Sequence, residues 1–160
     1  MNPLPPATGE PYRVAMVCLG NICRSPMADV IMRDLVAGAD LAERIEITSS
    51  GTGDWHLGHP MDSRAAAQLT SMSYDATQHR AQQFTVAWAD RDLILAMDQS
   101  NLSNINAILG DQAKPGQVRL FREFDPLATS GDEVPDPYYG GDEGFTHVGE
   151  IVRRTCQKLL

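Results

Sequence analysis

Short, wholly apolar runs alternate along this chain with longer segments whose apolar residues recur every three or four positions, which is the pattern of an α/β domain. "RVAMVCL" (13–19) reads as a strand apolar on both faces, through Val14, Met16 and Val17, as a central parallel strand must be. A helix follows from Pro26, with Val30, Ile31, Leu35 and Val36 as its stripe. "RIEITSS" is the second strand, and "DSRAAAQLTSM" a helix with Asp62 as its N-cap. "RDLILAM" is the third strand, "QSNLSNINAIL" a helix ended by Gly110, and "QVRLF" a short fourth strand. The closing helix, "EGFTHVGEIVRRTCQKLL", aligns Phe145, Val148, Ile151, Val152, Cys156 and Leu159 near helical spacing. Between the fourth strand and that helix runs "REFDPLATSGDEVPDPYYGGD", and connections of this length in compact domains are mostly functional or disordered. There is no internal repeat. The expectation is one domain over residues 12–160, preceded by a loose, proline-rich tail over residues 1–11.

Composition narrows the class. A chain of 160 residues can bury a core without metals or disulfide staples. A net charge of −8 and the lack of a Lys/Arg cluster speak against nucleic acid as a partner. Three cysteines, two of them in one short loop, do not make a secreted disulfide framework. The N-terminal run has neither the basic start nor the apolar stretch of a signal peptide. No window reaches the roughly 18 apolar residues of a membrane span. A soluble, cytoplasmic protein with no membrane partner is expected.

The candidate chemistry lies in "VCLGNICRSPMAD" (17–29). A strand delivers Cys18 to the carboxyl edge of the sheet, where open α/β sheets bind ligands. Ser25 is suited to cap the next helix and Pro26 to its first position. Leu19, Gly20, Asn21, Ile22 and Cys23 then form a curl on a helix N-terminus, with backbone N–H groups able to converge on an anion. Gly20 and Asn21 are residue types that tolerate the unusual dihedrals of such a curl. Amides, a helix start and an arginine favour a thiolate over a thiol. Arg24 can clamp two oxygens of a phosphate with its planar fork, and the Ser25 hydroxyl can donate to the Cys18 sulfur. The loop therefore binds a dianion and points a nucleophile at its phosphorus. It is not a Walker A loop, which needs Gly-Lys-Ser/Thr, and Cys18 and Cys23 lack a second ligand pair for zinc.

Cleaving an aryl phosphate ester also requires a proton for the leaving oxygen. "PDPYYG" supplies a candidate acid in Asp136, held between Pro135 and Pro137 and followed by Tyr138 and Tyr139, which could wall a flat ring. Asp125, Asp132 and Glu133 are competing carboxylates on the same loop.

Together "VCLGNICRSPMAD", "TSSGTGDWHLG", "HRAQQ", "MDQSNL" and "DPYYGGDEGF" resemble the low-molecular-weight protein-tyrosine phosphatases of bacterial type, from about Tyr12 to the C-terminus. The resemblance implies a single three-layer domain with a four-stranded parallel sheet of order 2-1-3-4 flanked by helices, and no metal or cofactor. It also implies a phosphocysteine at Cys18, phosphate binding by Arg24, assistance by Ser25, and Asp136 as acid and then base. Asn21 would be a strained loop residue held by a network that Ser49 and His79 join, with Trp55 and Tyr138 as aromatic walls. Cys23 would form a reversible disulfide with the nucleophile. Phosphotyrosine proteins would be the substrates of a monomeric enzyme, with inorganic phosphate as product and inhibitor. Asp29 stands where glutamate is common, and Gln82 replaces a frequent arginine. His56, His59 and His147 are assigned to solvated faces and Cys156 to the core.

Rival readings are weaker. Arsenate reductases of this fold use two further cysteines near the third strand, and none is present there. Protein-arginine phosphatases carry a threonine where this loop has Ile22. A non-catalytic phosphotyrosine-binding module would not need Cys18, Arg24 and Asp136 together. A thiol-exchange protein built on Cys18 and Cys23 would not need Asp136.

Overall fold

The computed structural model describes residues 4–6, 9–128, 132–138 and 141–160. Four strands, β1 (Tyr12–Cys18), β2 (Ile45–Gly51), β3 (Leu93–Ala96) and β4 (Val118–Leu120), form one parallel sheet of order β2-β1-β3-β4. That is the expected order. The helices are α1 (Arg24–Gly38), α2 (Ser63–Ser71), α3 (Gln99–Leu109) and α4 (Asp142–Leu159). The period-2 geometry of β1 sorts its side chains between two cores. Val14, Met16 and Cys18 face the layer of α1 and α4, with Ile31, Phe145, Val148 and Val152. Ala15 and Val17 face the layer of α3, with Phe84, Ile105 and Leu109. Three layers result, and β1 is central in both directions.

Local signals account for the element ends. Asp62 caps α2 by accepting from the Arg64 N–H at 2.8 Å, and Asp98 caps α3 by accepting from the Asn101 N–H at 2.7 Å. Gly110 ends α3 at φ +53°, a left-handed conformation that glycine adopts at little cost. On the inner stripe of α4, Phe145 to Cys156 are buried as the periodicity requires, and Leu159 only partly so.

The long connection after β4 is less irregular than the sequence suggests. It starts as a 3-10 turn over Phe121–Phe124, driven by Phe121 and Phe124, which are both buried. Near the N-terminus, Tyr12 Oη donates to the Pro5 carbonyl at 2.8 Å. Among the described residues no helix is long and apolar enough to cross a membrane.

Candidate active site

β1 ends at Cys18, and the chain curls through residues 19–23 before Arg24 opens α1. Asn21 makes the curl possible by adopting the left-handed conformation, φ +57°. Hydrogen bonds hold it there. Its N–H donates to Cys18 Sγ (3.3 Å) and its Nδ2 to Ser25 Oγ (2.8 Å). Its Oδ1 accepts from the Gln82 N–H (3.0 Å), and its carbonyl accepts from His79 Nε2 (2.7 Å). Since a carbonyl only accepts, Nε2 carries the proton. Burial, outweighing the bond to Asn21 and the nearby Asp29, holds the His79 pKa below its ordinary value and the ring neutral.

Two local expectations need correction. Ser25 does not cap α1. The helix begins at Arg24 with Cys23 in the N-cap position and no side-chain cap. Ser25 Oγ instead lies 2.9 Å from Cys18 Sγ, nearer than the Ser50 carbonyl at 3.4 Å. Because the Asn21 amide donates to that oxygen, the hydroxyl proton is available for sulfur. Gly20 has no positive φ; what it needs is space, since a Cβ there would come within 3.1 Å of the His56 ring. Ser49 joins this network one residue removed from Asn21, through Gln82. Its hydroxyl donates to Asp29 Oδ2 (2.8 Å), while Gln82 Nε2 donates to the Ser49 carbonyl (3.0 Å). Gln82 therefore ties the curl to β2 with both backbone and side chain, which answers what replaces the arginine. Asp29, buried, accepts from Ser49 and pairs with Arg33.

Arg24 is buried, its side chain only 4% exposed, and its Nη1 is taken by Asp98 Oδ2 (2.6 Å) and the Val134 carbonyl (3.0 Å). Burial works against the charge, but Cys18, Asp98 and Asp136 outweigh it and hold the guanidinium pKa above its ordinary value. Nη2 lies 3.6 Å from Asp136 Oδ2, beyond hydrogen-bond range but close enough for an ion pair. Asp136 is itself oriented by the Tyr138 N–H, which donates to Oδ1 at 3.1 Å. One cavity of about 420 Å³ brings together Cys18, Leu19, Gly20, Ile22, Cys23 and Arg24 with Trp55, His56, Asp136 and Tyr138. Two segments 112 residues apart thus share one concave site, as 136 − 24 shows.

The family model described as low molecular weight phosphotyrosine protein phosphatase matches residues 13–160. The chain belongs to this family. It is 42% identical over 151 residues to the low molecular weight protein-tyrosine-phosphatase of Streptomyces coelicolor, covering 93% of this chain and 92% of that one. Against the low molecular weight phosphotyrosine protein phosphatase of Sus scrofa the identity is 38% over 150 residues, 92% of each. The crystal structure of YfkJ from Bacillus subtilis matches with a TM-score of 0.85 at 33% identity, covering 96% of this chain and 94% of that chain. A protein tyrosine phosphatase from Entamoeba histolytica, with Hepes in its active site, matches with a TM-score of 0.82 at 32% identity, covering 92% and 94%.

Within this phosphatase fold the predicted residues are distributed as follows. Cys18, Leu19, Gly20, Ile22, Cys23, Arg24, Asp136, Trp55 and Tyr138 meet at the cavity, whereas Asn21 and Ser25 are fully buried and do not line it. Ser49 and His79 lie behind it. Tyr139 lies outside the described residues. Trp55 is 65% exposed, so it is not packing filler and its face is open to a ligand. Cys23 is buried, and burial, with Asp62, Cys18 and Asp136 adding to it, pushes its thiol pKa far up. All three cysteines are free. Among the described residues no group of three His, Cys, Asp or Glu side chains converges to hold a metal.

Sequence reasoning missed four contributors. His56, assigned to a solvated face, lines the cavity. Asp98 orients Arg24, and its place before "QSNL" was a legible cap signal but not a legible partner. Gln82 was flagged only as a departure. Gly51, at the end of β2, is required because a Cβ there would sit 2.6 Å from the Leu19 carbonyl oxygen and 3.0 Å from the Asn21 nitrogen; no local pattern announces that.

Proposed function

We propose that this protein-tyrosine phosphatase hydrolyses aryl phosphate monoesters of phosphotyrosine-bearing proteins through a phosphocysteine at Cys18. In the first half-reaction Cys18 Sγ attacks phosphorus and the aryl oxygen leaves with a proton from Asp136. The curl N–H groups and the unengaged N–H groups of Arg24 neutralise the three phosphoryl oxygens. Ser25 stabilises sulfur as it regains negative charge. In the second half-reaction Asp136, now a carboxylate, takes a proton from water as the water oxygen attacks phosphorus. The P–S bond breaks, inorganic phosphate leaves, and the thiolate returns.

The observation that carries this reading is the placement of Asp136 Oδ2, 3.6 Å from the Arg24 fork, over the same cavity that holds Cys18. Trp55 and Tyr138 are suited to flank the aryl ring. Ile22 offers only an apolar contact in the curl, which favours an aromatic leaving group over a guanidinium. Cys18 and Cys23 both line this cavity, which supports a redox role: peroxide would oxidise the Cys18 sulfur to a sulfenic acid, and the Cys23 sulfur would then displace that oxygen as water to form the disulfide.

The test is a release assay on phosphotyrosine, phosphoserine, phosphoarginine and arsenate, run beside Cys18→Ser. Phosphotyrosine turnover that Cys18→Ser abolishes, with phosphopeptide still bound, is the expected result. Normal turnover by Cys18→Ser, or preference for phosphoarginine, overturns the reading.

A further inference from the structure

Arg64 lies outside every motif considered so far and lines none of the phosphate cavity, yet it connects the two segments that form it. Its anchorage begins at the curl, where the Ile22 carbonyl accepts from the Asp62 N–H at 2.8 Å. The Asp62 carboxylate then receives Arg64 Nε and Nη2, each at 3.1 Å, through both oxygens. Arg64 Nη2 also donates to the Tyr138 carbonyl at 2.9 Å. Its Cζ lies 4.7 Å from the centroid of the buried Phe145 ring on α4 and 5.5 Å from that of Tyr138. From Tyr138 the N–H donates to Asp136 Oδ1, and Asp136 Oδ2 faces Arg24. The contacts close a circuit from the curl through α2 to the carboxyl and back to the curl.

The chemistry of the fork matters here. A guanidinium presents donors in one rigid plane, so a bidentate grip on Asp62 sets the direction of the bond to Tyr138. A lysine keeps the charge but not the plane. Asp136 is exposed, and its flanking prolines fix φ without placing the loop over the curl. Placement needs a contact from outside the loop, and Arg64 provides one from α2.

We infer that Arg64 is a positioning residue for proton transfer, holding the Tyr138 backbone so that the Asp136 carboxyl stands over the leaving oxygen. This rests on the proposed acid role of Asp136. Misplacement by about an ångström can cost up to about a hundredfold in rate, so a loosened loop should lose part, not all, of the acid's contribution.

The experiment measures kcat/KM, which reads expulsion of the phenol, for wild type, Arg64→Met, Arg64→Lys, Asp136→Asn and the Arg64→Met/Asp136→Asn double variant. The substrates are phenyl phosphate, a poor leaving group, and p-nitrophenyl phosphate, a good one. Arg64→Met should lower kcat/KM about tenfold on phenyl phosphate and clearly less on p-nitrophenyl phosphate, and Arg64→Lys should recover little. In the Asp136→Asn background, Arg64→Met should add no further loss, because the two act as a unit. Equal losses on both substrates, or full additivity with Asp136→Asn, overturn the inference and leave Arg64 as a fold contact. If Asp136→Asn itself shows no leaving-group dependence, the acid assignment fails first, and the inference with it. Thermal melts of each variant separate misfolding from misplacement: Arg64→Lys, with the charge and most of the stem retained, should melt with wild type and still show the selective loss.

Discussion

Asp125 and Asp136 sit on the same acidic connection between β4 and α4, both followed by proline, and the fold gives them opposite surroundings. Asp125 is buried, its side chain fully covered, and Arg154 grips both oxygens at 2.7 and 2.8 Å while Arg122 Nε adds a third contact at 2.9 Å. The Arg154 bonds, reinforced by those from Arg122 and the Leu127 N–H, outweigh burial and hold its carboxyl far below the usual carboxylate range. A carboxylate so committed is a permanent anion and cannot deliver a proton. Asp136 is exposed, lies 3.6 Å from its arginine, and has one backbone donor. It is the one of the two that lines the cavity, and the one we propose as the acid. A carboxylate surrounded by two arginines serves as a strut, whereas one that solvent can reach meets the first requirement of the proposed acid.

The two ends are also mechanically joined. Arg122 Nη1 donates to the Glu133 carbonyl at 3.1 Å, and Glu133 Oε2 accepts from the Gln99 N–H at the start of α3. Val134, fully buried, donates its N–H to the Met97 carbonyl and offers its own carbonyl to Arg24. The strut thus holds the near end of the segment that carries Asp136.

The comparison breaks most visibly through Asp136→Asn. It should lower kcat/KM on phenyl phosphate by about 10²–10⁴-fold, the range of a general acid, while the melting temperature stays near wild type. A large fall in melting temperature with normal kinetics would reverse the two roles. Asp125→Ala is the opposite case. Leaving two arginines beside an emptied buried site should cost about 3 kcal/mol of stability, read from the urea midpoint, with a much smaller loss of kcat/KM per folded molecule. The pH dependence sharpens the contrast. Since the folded Asp125 pKa lies below the unfolded one, its contribution is complete above about pH 4 and is lost as the pH falls toward the folded value. Melting temperature between pH 5 and 3 should drop more steeply in wild type than in Asp125→Asn, and parallel curves would remove the strut. His79 gives the smallest effect. Its folded pKa is also depressed, so the unfolded chain binds more protons and stability declines as pH falls below about 6.5. His79→Gln should flatten the pH 7 to 5 limb of the melting curve, and an unchanged limb would mean the imidazole is not held neutral.

Much of the architecture was legible because it follows from local rules. Period-2 and period-3.6 patterns located the strands and helices to within a few residues, and Asp62 and Gly110 marked helix ends by their own chemistry. The start of α1 was misplaced because Ser25 has two possible partners, a backbone N–H and the Cys18 sulfur. Only the packing of the curl decides between them. Ser49 reaches the Asn21 network through Gln82 while its hydroxyl goes to Asp29, one turn into α1, and neither partner is announced by the residues around Ser49. His56 carries no local sign of its place, since a histidine in a polar turn looks solvated until the wall opposite it is known.

The chain by itself determined the reactive inventory: a cysteine at the end of a buried strand, an arginine six residues on, and a carboxylate between prolines. These are choices of residue type and short spacing, and local sterics and charge act over such distances. Tertiary structure alone decided which of several aspartates faces the cavity, that Asp98 and the Val134 carbonyl orient Arg24, and that Gly51 must lack a side chain. Those outcomes depend on distances between segments far apart in the chain. Such distances are set by how the layers pack against the sheet, and no window of residues contains them.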